Sequence, residues 1–522
     1  MADFKPSDKR HPLYDENLDS WTLFRDSVKG GETFITDANL YSHRLEDSTD
    51  YDERLERAYF LNFCDTIPQT YNSYIFKEHI ERPSDPVLEF FRKDCDGRGN
   101  SLTEFIKKAG YFASVYGVVH ILISTPPKPT TTSGIITKAQ EKELNIQPRC
   151  SIILPTELVD WSIDDNGKFR WVLIQNTYYR DVDPTIDRST ETQYRLITRE
   201  DWKILTEDGE TFKFDEGEES AGTNELGEIA IVSLYHKNID DNKIGESLLK
   251  DIVYINRAIL NWCSCIDEQI ERQTFSQLVV PDDGTLADEA ESGRDPLHQI
   301  GTSSIWTFSG DANHPPAFIS PNVENIQTIW KLVVDHIKEI YRLARLMGSS
   351  EDMYASSSGR SAQMGFMSVN SALADKAQSY QKAENEISKF AYIILGQSDV
   401  SGYVDVKYPD TFDVAVLSEE LDSHIKVMER NFSPTLNKEM QKNIARRSLP
   451  LASQIVKAAI EGEIDSGDGR VEPLTGAGTA DEDVEKDGQG NTNTRLGDTH
   501  GTKADLDKRE SQKRSNKDLE EK

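Results

Sequence analysis

Residues 323–347 read VENIQTIWKLVVDHIKEIYRLARLM, and Ile326, Ile329, Val333, Ile337, Ile340, Ala344 and Met347 recur along them in steps of three and four. That spacing puts all seven in one stripe of a helix and predicts a stop at Gly348. Upstream, Leu249, Ile252, Ile255, Ile259, Cys263, Ile266 and Ile270 have the same spacing and predict a second long helix from about Gly245 to Arg272. Between the two lies an insert of different character: a β-prone piece from Phe275 to Val280, an acidic, turn-rich run from Asp282 to Asp295, and strand candidates at 303–308 and 317–319. Downstream, the polar segment from Gly348 to Gly359 separates the 323–347 helix from a third long one, about Ser361 to Leu395, rich in Ala, Gln, Lys and Glu.

Outward from this core the pattern changes twice. Residues 151–236 read as β, with Asp165-Asn166-Gly167 between two strand-like runs, because Asn-Gly tolerates the positive φ of a tight hairpin turn. Further strands are expected at 193–198, 202–206, 211–214 and 229–235, with Asp215 to Asn224 as an acidic surface loop. Before the β region, helices are expected from Tyr51 to Ile67, ended at Pro68, then over 86–95, and then from Asn100 or Ser101 as cap to Tyr116. Strand 118–123 follows, and then a Pro- and Thr-rich loop over 125–148. Residues 1–50 read as a polar, irregular arm. After the third long helix, Val404 to Lys407 reads as a short strand and 418–462 as helix interrupted near Pro434 and Pro450. Beyond Glu463 almost no apolar residues remain, and such a tail cannot bury enough surface to fold alone.

Composition narrows the function. The 522 residues are 37% hydrophobic, enough for a sizeable core in two to four structural units. The charged start and the short apolar runs predict no targeting peptide and no membrane span. Cys64, Cys95, Cys150, Cys263 and Cys265 are scattered and odd in number, which argues against a disulfide framework or a zinc site and for a reducing compartment. The net charge of −32 counts against a protein that grips DNA by its phosphates, although like-charge repulsion suits one that surrounds a sliding duplex. A Walker A sequence, HExxH, GxSxG and metal-ligand spacing of Cys and His are all missing from the sequence, so neither catalytic residues nor a metal or other cofactor are expected.

The order of parts resembles the portal (head-to-tail connector) proteins of tailed bacteriophages. Leu154-Pro155-Thr156-Glu157-Leu158-Val159-Asp160-Trp161 with its hairpin is similar to a wing strand of one portal branch. Gly245-Glu246-Ser247-Leu248-Leu249-Lys250-Asp251-Ile252 with Asn256 is similar to the start of the first stem helix, and Ser358-Gly359-Arg360-Ser361 to the segment after the tunnel loop. The likeness covers roughly residues 50 to 465 and lies in the ordered combination. It implies an α+β, mainly helical chain: arm 1–50, wing 51–242, first stem helix 243–272, clip 273–322, second stem helix 323–347, tunnel loop 348–360, long wing helix and return strand 361–410, crown 411–464 and disordered tail 465–522.

It also implies a ring, usually of about twelve copies, at one capsid vertex of a virion, assembled in the host cytoplasm. Double-stranded DNA would pass through it. The terminase large subunit would dock for packaging, major capsid and scaffolding proteins would surround the ring, and head-completion or tail adaptor proteins would dock before ejection. No hydrolysis of its own is implied. Lys331, Lys338 and Arg345 are seven apart, with Arg342 close by. They would form positive bands facing the duplex, or else a solvated face paired with Asp335 and Glu339. The segment with Gly348, Asp352, Met353, Tyr354 and Gly359 would be the mobile constriction, or a plain connector. A capsid-associated adaptor or assembly factor without a channel is the alternative, although a simple coiled coil would not carry a β insert between two of its helices.

Overall fold

Ser101 opens the helix around which the first part of the chain is organised. Its hydroxyl accepts from the Glu104 backbone N–H, and the Glu104 carboxylate accepts from the Ser101 N–H, a complete capping box. In the computed structural model the chain is described over residues 4–77, 79–125, 147–180, 187, 189–214, 219–273, 277–282, 305–309, 317–319, 323–346, 359–397, 403, 405–410, 412, 426–428, 430, 432–448 and 454–467. It is a mixed α+β structure with about 49% helix and 18% strand, so helix dominates. It divides into two compact units, Met1–Val414 and Ala415–Lys522.

The helices of the first unit are α1 (Pro12–Lys29), α2 (Ser48–Arg57), α3 (Phe63–Lys77), α4 (Glu89–Lys93), α5 (Leu102–Tyr116), α6 (Ile252–Gln273), α7 (Val323–Leu343) and α8 (Gly359–Ile394). Its strands are β1 (Val118–Ser124), β2 (Arg149–Ile153), β3 (Leu158–Ile163), β4 (Phe169–Arg180), β5 (Ser189–Thr198), β6 (Asp201–Leu205), β7 (Ala221–Thr223), β8 (Ile231–Tyr235), β9 (Gln277–Asp282), β10 (Ile305–Ser309) and β11 (Ala317–Ile319). They form three sheets. An antiparallel sheet runs β2-β1-β8, a five-stranded meander runs β3 to β7, and a small sheet is ordered β10-β9-β11 with β10 parallel to β9. The second unit contains α9 (Pro434–Ser448) and α10 (Gln454–Ser466), joined by Lys442 Nζ at 2.7 Å from Asp465.

Four details differ from the sequence expectations. The first fifty residues are not an irregular arm. Pro12 stands at the first position of α1, and Tyr14, Trp21 and Phe24 are buried in the core. The His11 N–H donates to Val159 O at 2.9 Å and its ring stacks on Trp161, so β3 holds the start of this helix. The second concerns Pro68, which sits inside α3 instead of ending a helix. The break falls earlier, at 58–62, where Asn62 caps α3 by accepting from the Asp65 N–H at 2.9 Å. Asn256 of α6 satisfies the broken backbone, accepting from the Phe63 N–H at 3.1 Å and donating to Leu61 O at 2.8 Å.

Third, the β3–β4 turn uses positive φ at Gly167 alone, not at Asn166. Asp164 accepts from the backbone of Asn166 and Lys168 and pairs with Arg199, which holds its carboxyl down at about 2. Fourth, residues 245–251 are not part of α6. The backbones of Gly117 and Gly245 meet so closely that neither position has room for a Cβ. Ser247 there donates to Val115 O at 2.6 Å and accepts from the Leu249 N–H, so α6 begins only at Ile252. Smaller differences follow the same logic: β7 occupies part of the expected acidic loop, and Lys407 makes a single bridge to Glu81 in place of a strand. The expected interruption near Pro434 is present: residues 426–428 are helical and α9 opens afresh at Pro434. The 125–148 loop, the acidic 282–295 run and the tail beyond Glu463 lie largely outside the described residues.

The third long helix, α8, packs on β8, β1, α3 and α5. Its Glu384 is fully buried, receives Arg82 bidentately at 2.6 and 2.9 Å, and accepts from Tyr408 Oη at 2.6 Å. Removing one member of such a buried pair leaves an uncompensated charge. Glu384→Ala is expected to destabilise the first unit by about 3–5 kcal/mol, measured by urea unfolding. A loss below about 1 kcal/mol would show that water compensates Arg82.

Candidate functional site

The face of α7 that carries the basic residues is built by the stripe behind it. Val333, Ile340 and Ala344 are fully buried, Ile326, Ile329 and Ile337 are partly buried, and the helix lies along α6, whose Ile252, Ile259 and Cys263 are buried, as is Leu249 just before it. Burying that stripe turns the remaining faces outward. Lys331, Lys338 and Arg342 are exposed on α7, and Lys338 and Arg342 lie one turn apart.

Two of the three are already engaged. Lys338 Nζ is 3.8 Å from Asp335, and Arg342 Nε donates to Glu339 at 2.7 Å, holding that carboxyl below its ordinary range. Both are exposed pairs between neighbouring turns, of the kind worth a few tenths of a kcal/mol, so a polyanion could displace either carboxylate at little cost. Lys331 has no ion-pair partner among the described residues.

Arg345 does not continue the row. The helix ends at Leu343, and Arg345 takes a left-handed conformation, φ 53°. The Leu346 N–H donates to Tyr341 O at 2.9 Å and the Arg345 N–H to Arg342 O at 3.0 Å, a Schellman closure with arginine where glycine is usual. The stop therefore comes from this closure and precedes Gly348. Tyr71 of α3 caps the same end, its hydroxyl donating to Ala344 O at 2.6 Å. Gly359 is the first residue of α8, and Gly348, Asp352, Met353 and Tyr354 lie outside the described residues.

The sequence reading missed a second polar assembly, behind the end of α7. Lys376 of α8 and Ser114 of α5 are buried together beside Tyr71 and Tyr380, with the half-buried His236 after β8 against them. Lys376 sits in an Ala- and Ser-rich helix whose pattern reads as a solvated face, so only the packing of α8 on its neighbours reveals it. Among the described residues, no group of three His, Cys, Asp or Glu side chains is placed to hold a metal ion, and no helix is long and apolar enough to cross a membrane. All five cysteines are free thiols. Compared with protein-family models and with curated proteins, the chain matches none of them.

Arg345 offers a direct check on the helix end. Glycine removes the left-handed penalty of about 1–2 kcal/mol and gives back part of it as backbone entropy, so Arg345→Gly is expected to stabilise the unit by about 1 kcal/mol. Thermal unfolding at fixed pH measures it. A loss of stability would mean that the guanidinium contributes more at this helix end than the backbone conformation costs.

Proposed function

We propose that this chain is a portal subunit with a portal-like fold. Copies close into a ring around a DNA channel at a capsid vertex, which docks the packaging motor and later the neck and tail. The observation that carries the reading is a concentration of exposed large apolar side chains on α6 and α7. Tyr254, Trp262, Ile270, Trp330 and Leu332 are between 37% and 51% exposed, although these helices already bury a full stripe against each other. Scattered exposed apolar residues are ordinary, but five on one helix pair favour cover by neighbouring subunits. The small β9–β11 sheet between the two helices fits a clip, and the exposed Lys331, Lys338 and Arg342 fit a weakly basic wall.

Under this reading the protein does no covalent chemistry. An acidic chain keeps a duplex from adhering, while cations whose carboxylate partners are only weakly held offer brief phosphate contacts as it slides. The tunnel loop, clip, crown and tail assignments belong to the same proposal, as do location in the virion and the capsid, scaffold, terminase and adaptor partners.

Native mass and negative-stain images of the purified protein test it. Annular particles of about a dozen copies with a central hole are expected. The double variant Trp262→Glu/Trp330→Glu is expected to run as protomers while keeping its far-UV circular dichroism. Closed particles without a hole, or a double variant that assembles as well as the natural chain, would overturn the reading in favour of an adaptor or assembly factor.

A further inference from the structure

We propose that Lys376 is a proton-controlled latch on the end of α7. Its buried ammonium, set among Ser114, His236 and two tyrosines with no carboxylate against it among the described residues, loosens the cluster gripping that helix end, and loss of its proton tightens it. This inference is independent of the ring.

The geometry is that of a cation enclosed by neutral groups. Lys376 Nζ donates to Ser114 Oγ and lies 3.2 Å from His236 Nδ1. It stands 5.4 Å from the centre of the Tyr71 ring and 5.7 Å from that of Tyr380. Tyr380 in turn donates to Asn72 at 2.6 Å. Ser114 donates onward to Gly110 O, and the His236 N–H is fixed on Gly117 O. The link to α7 is Tyr71, which shares the lysine at its ring and holds Ala344 O by its hydroxyl.

The charged groups on every packed element leave the amine uncompensated. From α3 come Tyr71 and Asn72, and from α5 comes Ser114. After β8 comes His236, followed by Lys237, whose amine is taken by Glu246 at 2.7 Å. The end of α7 contributes Arg345, whose charge acts on both Tyr71 and His236. On α8 itself Asp375 is exposed and Glu384 is occupied by Arg82. On β1 the titratable group is His120, kept neutral by burial and bonded to Ser233.

Burial alone brings Lys376 down from its ordinary 10.5 to about 7. An opened, hydrated cluster restores the ordinary value, so between these two values the open form holds more protons than the closed one. Raising the pH through that window therefore favours the closed form, about tenfold per unit, and below about 7 opening stays at its maximum.

Hydrogen–deuterium exchange of the Ala344, Arg345 and Leu346 amides, which donate to Ile340, Arg342 and Tyr341, reads the latch directly. After correction for intrinsic exchange, their opening is expected to fall about tenfold per unit from about pH 7 to 9. In Lys376→Met it is expected to be flat and low. Tyr71→Phe is expected to raise opening at every pH without moving the titration, because it cuts the link and leaves the lysine. A slope that persists in Lys376→Met overturns the proposal. So does a natural protein whose profile is flat, or is no steeper at these amides than in β4, whether or not the methionine variant folds.

Discussion

The contact on which the first unit depends is the meeting of two backbones, Gly117 against Gly245, where a side chain on either would collide with the other's carbonyl. Around it the end of α5, the start of β1, the end of β8 and the approach to α6 converge within a few hydrogen bonds. The His236 N–H donates to Gly117 O, the Leu248 N–H to Ser114 O, and Ser247 Oγ to Val115 O. Each uses a backbone carbonyl that a helix or strand end would otherwise leave unpaired in the interior. With this junction closed, α6 leaves in one direction only, and its burial against α7 follows.

The same economy explains where polar side chains are buried. Asn256 stands where α2 and α3 are separated, Tyr71 where α7 ends, and Asn39 and Asn261 where the chain turns before α2. These are helix termini and chain reversals, which burial would otherwise leave with unmatched donors and acceptors. Glu384 with Arg82 and Tyr408 is a different case, a charge pair that pins the 81–82 segment and residue 408 to α8. The interior thus uses side chains to hold element ends and uses apolar stripes to hold element middles.

That division also sets what could be read in the sequence. The stripes of α6 and α7, the α5 capping box and the β3–β4 hairpin are local patterns, carried by residues at most a few turns apart. The long helices and most strands were accordingly legible. α1 was not, because its apolar residues Tyr14, Trp21 and Phe24 are widely spaced among polar ones and it is fastened by a distant strand through Val159 and Trp161. Pro68 misleads because a proline at the sixth position of a helix forgoes the bond to Cys64 O, yet α3 runs through it and packs it in the interior. Of the basic row, Lys331, Lys338 and Arg342 keep the spacing that was read. Arg345 departs from it because a non-glycine residue in a left-handed closure leaves no local signal.

The buried lysine shows most sharply what lies beyond local pattern. Nothing near Lys376 in the chain marks it, since alanine, serine and glutamine surround it as they would a solvated lysine. Its partners come from positions 71, 114 and 236, each on a different element. An isolated ammonium without a carboxylate costs stability wherever it is buried, and a methionine of similar length would fill the same space without that cost. Here the charge lies beside the tyrosine that holds the end of α7, and that end is closed by an arginine in a conformation glycine adopts more easily. Two unfavourable choices a few residues apart in space, each avoidable by a single substitution, mark this helix end as a place where the fold is held less tightly than it could be.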